Sequence, residues 1–258
     1  MRIATWNVNS LTVRLPRVEE WLLAQSPDVL CLQETKQDDA KFPFEALRNA
    51  GYESVHHGEG RWNGVAIVSR VGLDDVTAGF GTTEDELGAR IIAATCGGVR
   101  VMSCYVPNGR SLDSEHYQAK LRWLERLRVI LAAEPDDAPV AVLGDFNIAP
   151  TDDDVWDTAA LEGMTHVSQP ERTALQALET LGFEDVFRRF HPDGGIFSWW
   201  DYRDGSFHKG HGMRIDLALT SPALSARAKG AFVDREARKG VKPSDHAPVV
   251  IDFDGEVA

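Results

Sequence analysis

The stretch APVAVLGDFN, residues 138–147, runs from apolar residues directly into an acidic and an amide side chain. Its apolar part has the length and the valine content of a buried strand. Because the apolar residues follow one another without alternation, the strand is expected to be covered on both faces. Asp145 therefore stands at the carboxyl end of an interior strand, where a turn that closes the strand is the simplest interpretation.

Three further short polar patterns border apolar runs in the same way. They are Trp6-Asn7-Val8-Asn9, Gln33-Glu34-Thr35-Lys36 and Ser244-Asp245-His246-Ala247-Pro248. Each pattern is weak alone, since a strand end or a capped turn explains it equally well. If the strands lie side by side, however, their carboxylates, amides and imidazole form an oxygen-rich pocket suited to Mg²⁺. Such a pocket points to hydrolysis of a phosphate ester.

One further acid, Asp216, lies inside the apolar run RIDLAL at residues 214–219. A buried carboxylate without a partner costs several kcal/mol, so this group requires a cation or an imidazole beside it. His246 is the candidate partner.

The length and composition of the chain are typical of a soluble enzyme. The 258 residues, 43% of them hydrophobic, can fill one large core, and no linker separates the polar patterns, so a single domain over residues 1–258 is predicted. No apolar run is long enough to span a bilayer and a strand pattern begins at Arg2, so we expect a cytoplasmic protein with no membrane partner, and a monomer. The three cysteines, Cys31, Cys96 and Cys104, lie in apolar runs and suit free thiols.

The formal net charge of −13 argues at first sight against a nucleic-acid partner. The argument is weak, because several acids belong to the predicted metal site and a bound cation reverses part of the local field. The acidic residues 84–86 are a poor place for a DNA contact. Basic residues that stand beside a motif, and so are candidates for one DNA-facing surface, are Arg61, Arg90, Arg110, Arg203, Lys209 and Arg214.

Hydrophobic periodicity predicts a mixture of strands and helices. Strands are predicted at residues 2–8, 29–32, 64–69, 90–95, 99–105, 140–143, 215–219, 230–233 and 247–253. Helices are predicted at residues 14–25, 114–132 and 171–181, the second with a buried stripe of Tyr117, Leu121, Leu124, Leu127 and Leu131. Two sheets packed face to face with helices outside, an α/β or α+β arrangement, explain strands that are apolar on both faces.

The motifs together resemble the exonuclease III family of apurinic/apyrimidinic endonucleases, within the endonuclease/exonuclease/phosphatase superfamily that includes DNase I. The resemblance covers essentially the whole chain. It rests on TWNVNSL (5–11), LQETK (32–36), NGVA (63–66), YVPNG (105–109), GDFNIAPTD (144–152), WWDYR (199–203), GMRID (212–216) and KPSDHAPV (242–249). It implies a four-layer α/β-sandwich of two packed mixed sheets flanked by helices, with the site at one end of the sheets.

The resemblance also implies roles for individual residues. Glu34 would be the principal ligand of Mg²⁺, or of Mn²⁺, and the complete implied metal set is Asn7, Glu34, Asp145, Asn147, Asp245 and His246. Asp145 would position or deprotonate the attacking water, and Asn147 would hold that water or a phosphoryl oxygen. His246, oriented by Asp216, would hydrogen-bond the scissile phosphate, and Tyr105 would lie against the same phosphate as a donor or a phenolate.

Substrate contacts are implied in the same way. Trp199, Met213 and Ile215 would form an apolar pocket for a base-less sugar, with Trp200 as a plug over the core. Arg90, Asn108, Arg110 and Arg203 would contact the DNA. The histidines that these roles leave unused, His56, His57, His166 and His191, are expected on the surface or in loops.

The implied activity is Mg²⁺-dependent hydrolysis of the phosphodiester on the 5′ side of an abasic site in duplex DNA, as in base excision repair. Exonucleolytic removal of 3′ nucleotides and of 3′ blocking groups is expected from the same site. One alternative is a phosphodiesterase or phosphatase that acts on RNA, an inositol phosphate or a phospholipid. Another is a DNA-binding relative without catalytic activity. The apolar pocket and its flanking arginines favour DNA.

Overall fold

The computed structural model describes residues 1–81 and 87–255, and within these ranges it contains two six-stranded sheets. The acidic segment 84–86, predicted to be a poor DNA contact, lies outside the described residues. The strands are β1 Arg2–Asn7, β2 Val29–Gln33, β3 Glu53–His57, β4 Val65–Ser69, β5 Asp74–Ala78, β6 Ile91–Cys96, β7 Val99–Tyr105, β8 Val140–Asp145, β9 Glu184–Asp185, β10 Trp199–Trp200, β11 Gly212–Met213, β12 Asp216–Thr220, β13 Ala228–Val233 and β14 Val249–Phe253. The helices are α1 Leu11–Gln25, α2 Phe44–Asn49, α3 Glu115–Leu131, α4 Gln169–Glu179, α5 Val186–Phe190, α6 Ser206–Lys209 and α7 Pro222–Ser225.

Both large sheets are mixed, as predicted. The first has the strand order β13-β14-β1-β2-β4-β3 and the second the order β5-β6-β7-β8-β12-β9. The pairs β1–β2 and β7–β8 are parallel, and the remaining pairs of both sheets are antiparallel. The short strands β10 and β11 pair with each other outside these sheets.

The two sheets pack face to face, and successive residues of one strand enter different layers. Ala141 and Leu143 of β8 face the core between the sheets, whereas Val140 and Val142 pack under α3 and α4. In β2, Cys31 likewise faces the inter-sheet core while its neighbours pack under α1 and α2. This burial of both strand faces is the reason for the unbroken apolar runs, and it confirms the predicted four-layer sandwich.

The long helix α3 matches its prediction except at Leu121 and Lys120. The Ser114 side chain caps its start by accepting a hydrogen bond from the Tyr117 N–H at 3.1 Å. Four residues of the predicted stripe are buried, but Leu121 is only partly so. Lys120 is fully buried on the same stripe, a lysine where the pattern calls for an apolar residue.

The other two predicted helices begin earlier than expected. Helix α4 starts at Gln169 because Ser168 and Glu171 form a capping box ahead of it. Helix α1 starts at Leu11 instead of the predicted residue 14, and it contains Pro16.

Elements that lacked an apolar pattern went unpredicted. Strands β3 and β5 lie at the outer edges of the two sheets, and β5 is exposed along its whole length. An edge strand has little to bury, so its sequence shows no strong periodicity.

Two side chains expected at the surface are buried, and those predictions were wrong. Arg214 is fully buried and forms ion pairs with Asp154 at 2.6 Å and Asp185 at 2.7 Å, so it is not part of a DNA-facing surface. The His56 imidazole is buried between Asp39 and Thr35, at 2.8 Å from each.

The three cysteines are buried and free. Among the described helices, none combines the length and apolar character that a membrane crossing requires.

Candidate active site

Strand ends from both sheets meet at one edge of the sandwich. The parallel pairs place the carboxyl ends of β1, β2, β7 and β8 together, and with them Asn7, Glu34, Tyr105 and Asp145. Strand β12 runs antiparallel to β8 and begins there, so Asp216 stands opposite Asp145 in register. The topology therefore explains why residues far apart in sequence converge.

Three side chains that could ligate a metal ion lie close together at this edge. Ligand atoms of Glu34, Asp145 and His246 are within 4.8 Å of one another. The amide of Asn7 connects the two acids, because its Nδ2 donates to Glu34 Oε1 and to Asp145 Oδ2, both at 2.9 Å. Lys36 Nζ lies 2.8 Å from the other oxygen of Glu34.

His246 is held between two carboxylates. Its Nδ1 lies 2.8 Å from Asp216 Oδ2, as predicted, and its Nε2 lies 3.8 Å from Asp145 Oδ2. Burial opposes protonation of the ring, but Asp216 and Asp145 outweigh burial and raise the pKa of His246 to about 10. The imidazole is therefore a cationic donor at neutral pH.

For the pKa of Asp145, by contrast, the effect of burial is larger than that of the neighbouring charges. Burial raises the pKa of its carboxyl group to about 7; the charge of His246 opposes this shift, while Asp216 and Glu34 add to it. A carboxylate with a pKa near neutrality is suited to accept a proton from water.

The site has the ligand chemistry for a hard divalent cation. Carboxylate oxygens of Glu34 and Asp145 are within reach of one another, and the pKa of Asp145 is raised partly because negative charge at the site is incompletely neutralised. Oxygen ligands of this kind suit Mg²⁺ or Mn²⁺, and a cation would relieve that charge. Asp245 is not in the trio: its Oδ1 accepts from Asn9 at 3.0 Å and its Oδ2 from the Trp199 indole at 3.1 Å.

A group of neutral side chains adjoins the acids. Asn147 Oδ1 accepts from Asn108 Nδ2 at 3.1 Å, and its Nδ2 donates to the carbonyl of Val106 at 3.0 Å. His166 Nε2 lies 3.1 Å from both Asn147 Oδ1 and Asn108 Nδ2. Burial and the nearby Lys120 lower the pKa of His166 to about 4, so its ring is neutral.

His166 lies in a loop, as expected, but it contacts Asn147 and Asn108 beside the acids, a neighbourhood that was not predicted. Nothing in the surrounding sequence marks it, because the residue lies in a loop with a positive φ of 80° and meets Asn147 only through the fold. Lys120 and Glu171, which lie beneath these residues, were also missed. Lys120 did carry a signal, since it falls three residues after Tyr117 and four before Leu124 on the buried stripe of α3.

Tyr105 borders the acids on another side. Burial and the charges of Glu34 and Asp145 raise its pKa well above the usual value, which favours a neutral hydroxyl over a phenolate. The guanidinium of Arg90 lies 4.6 Å from the centre of its ring. A cleft of about 440 Å³ brings Tyr105 and Arg90 together with the predicted substrate residues Asn108 and Arg110.

The predicted apolar pocket residues also come together. Met213 and Ile215 are buried in a small cluster with Ala149 and Val155, and Trp199 packs against its edge. Trp200 is buried against the edge of the Phe207 ring, as the predicted plug.

Arg203 lies apart from this cleft. Its exposed side chain pairs with Asp201 at 2.6 Å.

The chain is similar to DNA-repair nucleases over its whole length. Residues 4–246 match the Endonuclease/Exonuclease/phosphatase family. The chain is 34% identical to exodeoxyribonuclease III of Haemophilus influenzae, over 98% of this chain and 100% of that protein. An AP endonuclease from Archaeoglobus fulgidus has a similar structure, with a TM-score of 0.95, 40% identity and coverage of 99% and 100% of the two chains. The NExo protein of Neisseria, a 3′ phosphatase whose structure holds a product DNA hairpin, gives a TM-score of 0.96, 44% identity and the same coverage.

Proposed function

The chain belongs to the endonuclease/exonuclease/phosphatase family and is a DNA-repair nuclease, and we propose that it hydrolyses phosphoryl bonds of duplex DNA with the help of Mg²⁺. Its substrates would be abasic sites, cut on the 5′ side, and blocked or recessed 3′ ends. The observation that carries the proposal is the meeting of Glu34, Asp145 and His246 within 4.8 Å at one sheet edge. The single domain over residues 1–258, the monomeric state and the cytoplasmic location stay predictions.

Glu34 and Asp145, bridged by Asn7, would hold the cation. When bound, Mg²⁺ neutralises charge on a non-bridging phosphate oxygen and on the leaving oxygen. Mn²⁺ has the same ligand preference and is an expected substitute.

The protein side chains supply proton transfer and orientation. Asp145, whose pKa burial raises to about 7 in the metal-free protein, would take a proton from the attacking water. Protonated His246, oriented by Asp216, would donate a hydrogen bond to a phosphate oxygen. This role is favoured over that of a metal ligand, because a protonated imidazole has no nitrogen lone pair with which to bind a metal ion. The neutral Tyr105 hydroxyl would donate to the same phosphate, and the Asn147 amide would orient the water or a phosphoryl oxygen.

Recognition of an abasic sugar would use the apolar cluster. Met213, Ile215 and Trp199 offer a surface for a sugar without a base, and a flipped nucleotide leaves the stack most easily where no base is present. Arg110 and Arg90 open onto the adjoining cleft and would contact the DNA backbone.

A specific observation favours a narrower function, the processing of 3′ ends alone. His166 lies beside Asn147 and Asn108, and its neighbour Val167 packs against the apolar cluster that is proposed to receive the sugar. The NExo protein, at 44% identity, is a 3′ phosphatase. In this version of the proposal, abasic sites are poor substrates because the imidazole occupies their place.

A substrate panel tests both versions. The protein is incubated, with Mg²⁺ or with EDTA, with one duplex that carries an internal tetrahydrofuran lesion, one that carries a 3′ phosphate at a nick, an RNA and an inositol phosphate. The proposal expects cleavage only with Mg²⁺. Cutting in EDTA, no product from either duplex, or faster cleavage of RNA or an inositol phosphate would contradict it.

The variant His166→Gly separates the two versions. Glycine tolerates the positive φ of this position, so the backbone is not strained by the change. If His166 blocks the sugar, this variant gains incision at the lesion without a matching gain at the 3′ phosphate. His191→Gly serves as the control, since that ring binds the carbonyl of Ala231 away from the site.

A further inference from the structure

An ion pair with no exposure to solvent lies beneath the neutral side of the site. Lys120 of α3 and Glu171 of α4 are both fully buried, and Lys120 Nζ contacts Glu171 Oε1. A buried ion pair loses its hydration, and apolar residues of the same volume usually stabilise a core equally well or better. Stability alone is therefore a weak explanation for this pair.

Lys120 holds the backbone of two residues that adjoin the acids. Its ammonium group donates to the carbonyl of Asn147 at 2.7 Å and to that of Asn108 at 3.4 Å. With Glu171 as the third partner, all three donors of the ammonium group are used. Asn147 has a φ of +52°, a left-handed conformation that asparagine adopts more readily than most residues other than glycine, and the contact of Lys120 with its carbonyl helps to hold it.

Glu171 holds the loop that carries His166. Its Oε1 accepts from the backbone N–H of His166 at 3.0 Å and from the Thr165 hydroxyl at 2.7 Å. Its other oxygen accepts from the N–H and the hydroxyl of Ser168, at 3.1 and 2.5 Å. His166, with a φ of +80°, is thus fixed by the same pair that fixes Asn147.

We propose that Lys120 and Glu171 are positioning residues for the reaction, which set the places of Asn108, Asn147 and His166 against the phosphate. The inference rests on the proposed function, since it concerns the same site. Misplacement of a group by about 1 Å can cost on the order of a hundredfold in rate. DNA binding is distributed over many backbone contacts and depends little on one of them. Loss of the pair should therefore lower kcat and leave KM almost unchanged.

The test compares two variants of the pair. Lys120→Met keeps the length of the side chain but leaves the buried carboxylate of Glu171 without a countercharge, so both the melting temperature and kcat should fall. The double variant Lys120→Met/Glu171→Gln removes both charges, and glutamine retains an acceptor for the helix cap. This double variant should regain most of the lost melting temperature, while kcat stays at least tenfold below wild type and KM changes less than about threefold.

A matched control separates position from stability. Leu127→Ala lies on the same helix in the same buried stripe and creates a cavity away from the site. It should lower the melting temperature with kcat unchanged at a temperature well below unfolding.

Wild-type kcat in the double variant, or a kcat that follows the melting temperature across all three variants, would overturn the inference. Absence of cleavage by the wild-type protein would instead overturn the proposed function.

Discussion

The site has two halves, which differ in their charge and in the elements that hold their residues in place. The strand-borne half consists of Asn7, Glu34, Asp145, Asp216 and His246. Asn7, Asp145 and Asp216 belong to strands of the two sheets, Glu34 directly follows β2, and His246 forms a bridge with Trp199. The loop-borne half consists of Asn108, Asn147 and His166, whose backbones lean on the Lys120–Glu171 pair. The first half carries the titratable groups and the second is neutral at pH 7. We infer that the strand-borne half performs proton transfer and cation binding, and that the loop-borne half orients the substrate.

The largest effect should come from the strand-borne half itself. Asp145→Asn removes the group expected to accept a proton from water, and a positioned general base contributes roughly 10²–10⁴-fold. We expect kcat to fall by that order while the affinity for a 3′-phosphate duplex stays within a few-fold, as measured by single-turnover kinetics and fluorescence anisotropy. A variant that retains more than a tenth of the wild-type rate would show that the base lies elsewhere.

A smaller effect should follow from the support of His246. Asp216 is the foremost cause that raises the pKa of His246 to about 10, so Asp216→Asn should lower that pKa. The protonated ring is then lost at a lower pH, and the alkaline limb of the pH–rate profile should move to lower pH. We expect a loss of about 10–100-fold in kcat at neutral pH. An NMR titration of the ring in the metal-free protein checks the direction, and an unchanged pKa would argue against Asp216 as the partner.

The loop-borne half should make the free energy of unfolding decrease at acidic pH, because of His166. The pKa of His166 is about 4 in the fold and about 6.5 in the unfolded chain, so its contribution is complete above pH 6.5 and is lost as the pH falls toward 4. His166→Gln should reduce the loss of unfolding free energy between pH 7 and pH 4 by about 1–3 kcal/mol, measured by urea denaturation. The same change at the exposed His116 is the control. Equal slopes in all three proteins would contradict a partly buried, neutral His166.

The smallest effect should come from arginines outside both halves. Arg110 opens onto the cleft beside Tyr105, whereas Arg203 is already paired with Asp201. We expect Arg110→Ala to raise KM a few-fold and to reduce the slope of log affinity against log salt by about 1. Arg203→Ala should change that slope less. The reverse order would place the DNA on the Arg203 side.

The strand-borne half could be predicted from the sequence because each member sits next to an apolar run. Glu34 and Asp145 follow strands that are visible as unbroken apolar stretches, and a parallel arrangement brings such ends together. Most strands and the long helix followed from the same apolar patterns, whereas the four-layer sandwich was implied by the resemblance to a known family. Asp216 was predicted to need a partner because an unpaired buried carboxylate is costly, and the structure supplies His246.

The loop-borne half could not be predicted in the same way. His166 meets Asn108 across 58 residues of sequence, and only the packing of α4 against α3 brings them together. Arg214 was misassigned for a related reason, since its partner Asp154 lies 60 residues away in a connecting segment. The local sequence pattern shows which side chains are unusual in a given strand or helix. It does not show which distant residue neutralises their charge.

Cation binding by the strand-borne half can be measured without any substrate. Isothermal titration of Mn²⁺ into metal-free protein is compared between wild type and Glu34→Gln, with circular dichroism to verify that both are folded. The account predicts saturable binding to the wild-type protein and an affinity at least ~10-fold weaker in the variant, because a ligating carboxylate becomes a neutral amide. Equal affinity in the two proteins, or no binding to the wild type, would contradict it.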